Sequence, residues 1–243
     1  MKPDNSEPAP VHRVIQRTAD GSHTLFVPGI NEHYHSVNGA VRESMHVFIK
    51  AGLHQLPKED IRILEIGFGT GLNALLSLLE AEKTGKSRVE YHAVELHPLP
   101  AEVAAALNYE EMVCPGRKGL FSALHAAPWD APAGITSRFI LHKIKGDANS
   151  CTLPASVDLV YFDAFAPDKQ PGMWNPEIFT ALYGRMAEGG ILTTYCAKGS
   201  VRRMMEKAGY AVERIPGPPG KREMLRASYH LSNASIFSTN AVR

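Results

Sequence analysis

Residues 62–73 read Arg-Ile-Leu-Glu-Ile-Gly-Phe-Gly-Thr-Gly-Leu-Asn. The first five of them form a compact, apolar strand candidate, the three glycines predict a turn, and residues 73–82 continue as a strongly apolar helix. A second strand is predicted at 89–94. Because parallel strands joined by a helix need helices on both faces of their sheet, this βαβ pattern predicts an α/β fold.

The rest of the chain fits the same class. Upstream, residues 24–28 and 32–36 predict two short strands around a turn, and apolar residues from Gly39 to Leu53 recur at helical spacing. Residues 109–134 are rich in proline and glycine, which favours loop with one helical fragment at 121–127. Further strands are predicted at 138–144, 157–162, 190–195, 212–215 and 223–229, the last two as an antiparallel pair, and helices at 99–108, 176–186 and 199–209.

The domain organisation follows from these elements. We expect residues 1–20 to be a mobile leader, residues 21–231 to be one domain with an N-terminal extension at 21–55, and residues 232–243 to be a polar tail. Cys114, Cys151 and Cys196 lie far apart in the sequence, which argues against a disulfide framework and a structural zinc site. No apolar signal segment or run of 18 apolar residues is present, so we expect a cytoplasmic protein.

The charge of the chain is unevenly distributed. With 26 Lys and Arg against 25 Asp and Glu, the net charge of +1 argues against a protein that binds nucleic acid over its whole surface. Residues 198–226, however, contain eight basic and three acidic side chains. This segregation predicts a phosphate-binding face on one side of the molecule, with a solvated helix face plus a basic turn as the alternative.

The glycine turn predicts a nucleoside site. Leu72 stands where a dinucleotide fingerprint requires its third glycine, so the spacing favours a nucleoside without a pyrophosphate. Glu95 ends the second strand and is placed to accept hydrogen bonds from a ribose diol, and Asp147 to bind the exocyclic amine of adenine. The alternative is that the glycines serve only a tight turn and the acids cap helices. The candidate residues are Glu65, Gly67, Phe68, Gly69, Thr70, Gly71, Asn73, Glu95, Asp147 and Ala148.

A second candidate site lies in residues 158–174. An apolar strand delivers Asp163 to the carboxyl edge of the sheet, where α/β proteins bind ligands, and Phe165, Pro167 and Trp174 follow in a loop that can wall the site. A carboxylate among aromatic rings can orient a substrate amine and take up its proton. A helix-capping Asp on a rigid proline loop is the alternative.

The E-x-G-x-G-x-G pattern at 65–71, followed by an acid that ends the next strand, resembles the class I S-adenosylmethionine-dependent methyltransferases. The resemblance implies a seven-stranded sheet whose last strand is antiparallel, with S-adenosyl-L-methionine as cofactor. Methyl transfer from a sulfonium is an in-line displacement that requires no metal, so positioning and exclusion of water are the expected contributions of the protein.

A narrower resemblance covers roughly residues 20–230. It is to the tRNA (5-methylaminomethyl-2-thiouridine) methyltransferases of the MnmD type, the counterpart of the methyltransferase half of the bifunctional MnmC enzymes. Its segments are 32–36, 39–40, 43–48, 163–167, 173–174, 195, 201–203 and 220–225. It implies methylation of the aminomethyl group on the wobble uridine, with Asp163 as catalytic carboxylate. Since the sequence ends at Arg243, we expect the oxidase half of MnmC to be absent and the amine to come from a separate enzyme.

The implied tRNA substrate presents its target base in an anticodon loop that is already single-stranded. Side chains that can stack on the uracil or line its pocket are Tyr34, His35, Phe165 and Trp174, although Tyr34 and His35 fit ordinary hairpin packing equally well. Basic candidates for phosphate are Lys198, Arg202, Arg203, Lys221 and Arg222.

Two alternative functions remain open at this point. One is a polyamine-synthase type of aminopropyltransferase, against which the basic C-terminal segment argues because polyamines are cations. The other is a non-catalytic RNA-binding module, against which the intact glycine turn, Glu95 and Asp163 argue.

Overall fold

A computed structural model of the protein describes residues 12–85 and 88–230. A small antiparallel sheet begins the described part, with strands β1 (Val14–Arg17), β2 (His23–Val27) and β3 (Glu32–His33) in that order. The predicted strands at 24–28 and 32–36 correspond to β2 and β3. The predicted leader at 1–20 is too long, because β1 pairs with β2. Residues 1–11 of that leader and the predicted tail at 232–243 lie outside the described residues.

The helical segment that follows changes its winding. It is an α-helix over Ala40–Ser44 (α1), a wider π-helix over Met45–Lys50 and a 3-10 turn over Leu53–Gln55. The predicted amphipathic helix is present, but the wider winding brings three consecutive residues, 47–49, into the core. The Phe48 ring centroid lies 5.0 Å from that of Tyr161. The N-terminal extension is thereby fixed to the main sheet.

The main sheet confirms the predicted α/β class. Its strands have the order β10-β11-β9-β8-β4-β5-β7-β6, in which β4, β5, β7, β8 and β9 are parallel and β11 runs antiparallel to both neighbours. The strands are β4 (Asp60–Ile66), β5 (Arg88–Glu95), β6 (Pro132–Gly134), β7 (Phe139–Lys145), β8 (Val157–Phe162), β9 (Met186–Thr194), β10 (Ala211–Pro216) and β11 (Glu223–Ser228).

The main sheet has eight strands, one more than the seven that the resemblance implies. The short strand β6 pairs antiparallel with β7 at the sheet edge, inside the segment predicted to be loop. The same segment contains two helices, of which only the second was predicted, and the helix predicted at 99–108 is reduced to five residues. The helices are α2 (Leu72–Thr84), α3 (Ala101–Ala105), α4 (Tyr109–Val113), α5 (Leu120–Ala126), α6 (Pro176–Tyr183) and α7 (Gly199–Ala208).

Two apolar layers cover the sheet. One joins the sheet to the 40–50 helix, α2 and α5, and the other joins it to α6 and α7. Helix α6 begins where its sequence predicts, since the Asn175 side-chain oxygen accepts a hydrogen bond from the Ile178 amide at 2.8 Å. No helix within the described residues is long and apolar enough to cross a membrane. Because β4, β5, β7 and β8 are parallel, their carboxyl ends meet at one edge of the sheet.

Candidate active site

A cavity of about 700 Å³ lies at this edge, between the carboxyl ends of the parallel strands and the small N-terminal sheet. Its volume is within the range of roughly 300–1,000 Å³ that holds small organic ligands. Most of the predicted nucleoside-binding residues line it. These are Gly67, Phe68, Gly69, Thr70, Asn73, Glu95, Asp147 and Ala148. Glu65 and Gly71 do not line the cavity.

Two glycines of the turn allow the backbone to form the cavity wall. Gly67 has a φ of 95°, and a Cβ there would lie 2.9 Å from the carbonyl oxygen of Asp163. Gly69 has a φ of 49°, and a Cβ there would lie 3.2 Å from the Tyr34 ring. A side chain at either position would be strained, and it would clash with the Asp163 backbone at Gly67 and crowd the Tyr34 ring at Gly69. The turn is therefore a cradle that leaves room for a ligand.

Two acids stand at the ends of the next strands. Glu95 accepts hydrogen bonds from the Gly69 amide at 2.9 Å and from the His97 amide at 2.8 Å, which fixes its carboxylate at the cavity wall. Asp147 accepts two hydrogen bonds from Asn149, from the backbone amide at 2.9 Å and from Nδ2 at 3.0 Å. Carboxylate oxygens have further lone pairs, so both acids can still accept hydrogen bonds from ligand hydroxyl or amino groups.

The side-chain amide of Asn73 connects the glycine turn to Asp163, which follows strand β8. Asn73 donates from Nδ2 to Glu65 Oε1 and to Asp163 Oδ2, each at 2.8 Å. Glu65 is fully buried, and burial together with the nearby charge of Asp163 raises its pKa well above the ordinary value. Glu65 thus lies behind Asn73 as a buried structural support, on the side of the amide away from the cavity.

The pKa of Asp163 is poised near neutrality. Burial raises it from 3.8 to about 7, the charge of Glu43 adds to the rise, and the hydrogen bond from Asn73 and the charge of Lys221 oppose it. A carboxyl group with a pKa near 7 can exist in both protonation states under physiological conditions, which suits it to accept and release a proton.

Aromatic side chains form the wall beside Asp163. The rings of Tyr34 and Phe165 meet edge to face with centroids 5.0 Å apart, and Arg13 Nε donates to the Tyr34 hydroxyl at 3.0 Å. Trp174 does not lie in this wall. It is buried, packs on Phe162 and donates from Nε1 to the Phe165 carbonyl at 2.7 Å, so it supports the loop from beneath.

His35 borders the cavity, but its ring serves the fold. Its Nε2 lies 2.7 Å from the Thr70 hydroxyl, and the side chain is buried. Burial lowers the pKa of His35 to about 4, so the ring is neutral at pH 7. The contact ties the N-terminal sheet to the glycine turn.

The predicted phosphate-binding residues are mostly engaged elsewhere. Lys198 lies 2.5 Å from Asp168, and Arg202 lies 2.8 Å from Glu206 one helical turn further along α7. Of the five basic candidates, the structure places only Lys221 at the cavity, while Arg203 and Arg222 are exposed away from it.

Four charged residues that line the cavity were not among the candidates from the sequence: Glu32, Glu43, Arg13 and Lys169. Of the described residues that line it, five are acidic and three are basic, and the list is Glu32, Glu43, Glu95, Asp147, Asp163, Arg13, Lys169 and Lys221. Among the described residues, no group of three or more His, Cys, Asp or Glu side chains is arranged to hold a metal ion. Among the described residues, Lys221 is the one basic residue of the segment 198–226 that lines the cavity, and the cavity keeps an acidic excess, so the basic segment does not argue against a cationic substrate there.

Comparison with known proteins defines the class. Residues 135–230 match the family model of an S-adenosyl-L-methionine-dependent methyltransferase. The structure of MnmC2 from Aquifex aeolicus superposes with a TM-score of 0.70 at 29% identity, over 91% of this chain and 72% of that one. With its sheet order and glycine cradle, the protein is a class I S-adenosyl-L-methionine-dependent methyltransferase.

Within that class, the chain groups with the MnmC and MnmC2 proteins. The tRNA 5-methylaminomethyl-2-thiouridine biosynthesis bifunctional protein MnmC of Stutzerimonas stutzeri is 32% identical over 216 residues, which cover 84% of this chain and 33% of the relative. MnmC of Pseudomonas aeruginosa is 35% identical over 212 residues, which cover 81% of this chain and 32% of the relative. The chain thus spans about a third of the length of these curated relatives.

Proposed function

We propose that this protein transfers a methyl group from S-adenosyl-L-methionine to the 5-aminomethyl group of the wobble uridine or 2-thiouridine in tRNA, giving the 5-methylaminomethyl nucleoside. The observation that carries the proposal is Asp163, a carboxyl group with a pKa near 7 between a glycine cradle and an aromatic wall. The names of the MnmC relatives supply the nucleoside, and their similarity does not favour the aminopropyltransferase alternative.

The cradle fits the cofactor. Gly67 and Gly69 leave the space that a Cβ would fill, Glu95 is placed to accept hydrogen bonds from ribose hydroxyls, and Asp147 from the adenine amine. When bound, S-adenosyl-L-methionine supplies a methyl group on a sulfonium, and the C–S bonding electrons remain on sulfur as the amine nitrogen forms its bond to carbon.

Asp163 prepares the amine for this step. A primary alkylamine resembles lysine, with a pKa of about 10.4 in water, and reaches the site as an ammonium without a free lone pair. The Asp163 carboxylate accepts a proton from that ammonium, and Asn73 holds the carboxyl group in place through its 2.8 Å hydrogen bond. The resulting neutral amine can attack, and Asp163 afterwards releases the proton to solvent.

The RNA substrate is proposed to contact aromatic and basic side chains that line the cavity. Tyr34 and Phe165 offer ring surfaces for the uracil, and Arg13 and Lys169 line the same cavity. The basic candidates that lie outside the cavity, Lys198, Arg202, Arg203 and Arg222, are proposed to contact phosphate. A separate enzyme would supply the aminomethyl uridine, and the cytoplasm, where tRNA is modified, is the proposed location.

The test is transfer of label. The protein is incubated with methyl-labelled S-adenosyl-L-methionine and tRNA that carries the 5-aminomethyl nucleoside, and nucleosides are separated by mass spectrometry. We expect label in 5-methylaminomethyl uridine or its 2-thio form, and none with tRNA that lacks the amine. The Asp163→Ala variant should lose transfer while its affinity for S-adenosyl-L-methionine stays within about tenfold. Absence of label from the wild-type reaction would refute the function, and full activity of the variant would remove Asp163 from the mechanism.

A further inference from the structure

A lysine ammonium of the protein lines the same cavity as Asp163. Lys221 Nζ lies 3.0 Å from Oε1 of Glu43 and 3.9 Å from the centroid of the Tyr195 ring. Lys221, Glu43, Tyr195 and Asp163 all line the cavity, and both Glu43 and Lys221 influence the pKa of Asp163. A carboxylate and an aromatic face are the two groups that proteins use to bind an alkylammonium ion.

These two groups are held in place without the help of the lysine. Glu43 is 7% exposed, and its other oxygen, Oε2, accepts a hydrogen bond from the Ser36 amide at 2.7 Å. The Tyr195 hydroxyl donates to the Ala164 carbonyl at 2.8 Å. Because neither bond involves Lys221, the carboxylate and the ring keep their positions when the ammonium leaves. They form a preorganised site.

Lys221 is placed so that its side chain can leave. Its turn is fixed to the N-terminal extension, since Gly220 packs against Asn38 and the Pro216 carbonyl lies 2.8 Å from His46 Nε2. The lysine side chain itself remains 36% exposed and is joined to that turn by a flexible four-carbon stem. The ammonium can therefore move to solvent without movement of the backbone.

We propose that Glu43 and the Tyr195 ring are the binding site for the primary ammonium group of the substrate, and that Lys221 occupies this site until the substrate displaces it. The inference rests on the proposed function and assigns the part of the cavity that selects an amine. Replacement of one ammonium by another leaves the charge of the cavity unchanged, so the exchange avoids the cost of an unpaired buried carboxylate. The bound ammonium lies next to Asp163, which accepts its proton.

Binding of a nucleoside pair tests this assignment without catalysis. The protein, saturated with S-adenosylhomocysteine, is titrated calorimetrically with 5-aminomethyluridine and with its neutral analogue 5-hydroxymethyluridine. Lys221→Met removes the resident ammonium but keeps a side chain of similar length. Glu43→Gln removes the charge that attracts the ligand, and Tyr195→Leu removes the aromatic face. Lys207→Met, a lysine on the exposed side of α7, is the matched control.

We expect Lys221→Met to bind 5-aminomethyluridine about tenfold more tightly than the wild type, because a charge-assisted hydrogen bond no longer has to be broken. Glu43→Gln should lose about tenfold of the preference for the aminomethyl over the hydroxymethyl nucleoside, and Tyr195→Leu should lose about threefold. Lys207→Met should match the wild type. Thermal unfolding identifies any of the three test variants that does not fold. The two variants that remain folded then test the inference.

The inference is overturned if Lys221→Met binds the amine no more tightly than Lys207→Met, or if folded Glu43→Gln keeps the wild-type preference. Its failure is distinguishable from failure of the proposed function, which is measured by label transfer to tRNA. A protein that prefers the aminomethyl nucleoside but transfers no label would keep this site and lose the tRNA reaction. A protein that transfers label without the expected changes in binding would keep the reaction and lose this site.

Discussion

The substitution Asp163→Asn should make the fold more stable while it destroys catalysis. Asp163 is a carboxyl group whose ionised form is disfavoured by burial and by the charge of Glu43. An asparagine has nearly the same shape, its side-chain oxygen can still accept the hydrogen bond from Asn73, and it never ionises. The variant therefore removes an electrostatic cost that the wild type bears whenever Asp163 is charged.

The size of the gain depends on pH in a direction that can be worked out. The pKa of Asp163 is raised from 3.8 to about 7 on folding. Between these values the folded protein holds a proton that the unfolded chain has lost, so wild-type stability falls as pH rises, by about 1.4 kcal/mol per pH unit. From pH 5 to above pH 7 the loss reaches a ceiling of ~2.7 kcal/mol. Because Asp163 opens onto the cavity, where solvent screens charge, we expect about 1–2 kcal/mol, below this ceiling.

Urea unfolding of both proteins at pH 5.0 and pH 8.5 measures this effect. Groups that do not sense the charge of Asp163 titrate equally in the two proteins, so the difference in unfolding free energy between Asp163→Asn and the wild type reports Asp163 together with its electrostatic neighbour Glu65. That difference should grow by about 1–2 kcal/mol from the lower to the higher pH. Asp168→Asn, in the same loop but with an aspartate side chain that is 75% exposed, is the control and should show a change below about 0.5 kcal/mol. An equal difference at both pH values for Asp163→Asn would refute the raised pKa and with it the role of Asp163 as proton acceptor.

Three further variants test the cradle and the wall. Gly69→Ala places a Cβ 3.2 Å from the Tyr34 ring at a positive φ, and it should weaken S-adenosylhomocysteine binding at least about tenfold by calorimetry, with wild-type affinity contradicting the cradle. Glu95→Gln keeps the size of the side chain but loses its charge, and a loss of affinity of about tenfold is expected in the same titration; unchanged affinity would remove Glu95 from the ribose site. Trp174→Phe removes the 2.7 Å hydrogen bond to the Phe165 carbonyl, so methyl transfer should fall about fivefold while cofactor affinity stays unchanged, and a change confined to cofactor affinity would contradict this role.

The parts of the fold that the sequence predicted are those with a strong local signal. The strand at 157–162 is an apolar run with the same bounds in the structure, and α6 begins at the Asn175-Pro176 pair as expected. The strand β6 was missed because Pro132–Gly134 carries turn residues and pairs only through its backbone with β7. The helical spacing of 39–53 predicts a helix but does not distinguish its π-helical winding at 45–50 from an α-helix.

Several cavity-lining residues that the sequence predicted lie at the ends of strands or directly after them. Gly67 and Asp163 come directly after parallel strands and Glu95 ends one, and the topology brings the three together. Glu43 lies on a helix of the N-terminal extension and reaches the same cavity only through tertiary packing. The prediction for Trp174 was wrong because its place in the sequence, close to Phe165, suggests that it lines the cavity. In the structure it is buried and packs on Phe162 under the loop.

The charge of the cavity and the charge of the C-terminal segment have opposite signs, and this difference fits the proposed reaction. Both reacting groups, a sulfonium and an ammonium, are cations, so an acidic excess in the cavity attracts them and repels the phosphates of the RNA. The phosphates must then be held outside the cavity, where the basic candidates other than Lys221 lie. Lys198 and Arg202 are paired there with acids in exposed bridges, which contribute only about 0–1 kcal/mol each. Exchange of such a partner for a phosphate costs little, so these pairs are compatible with RNA binding on that face. The net charge of +1 averages the two regions and reflects neither of them.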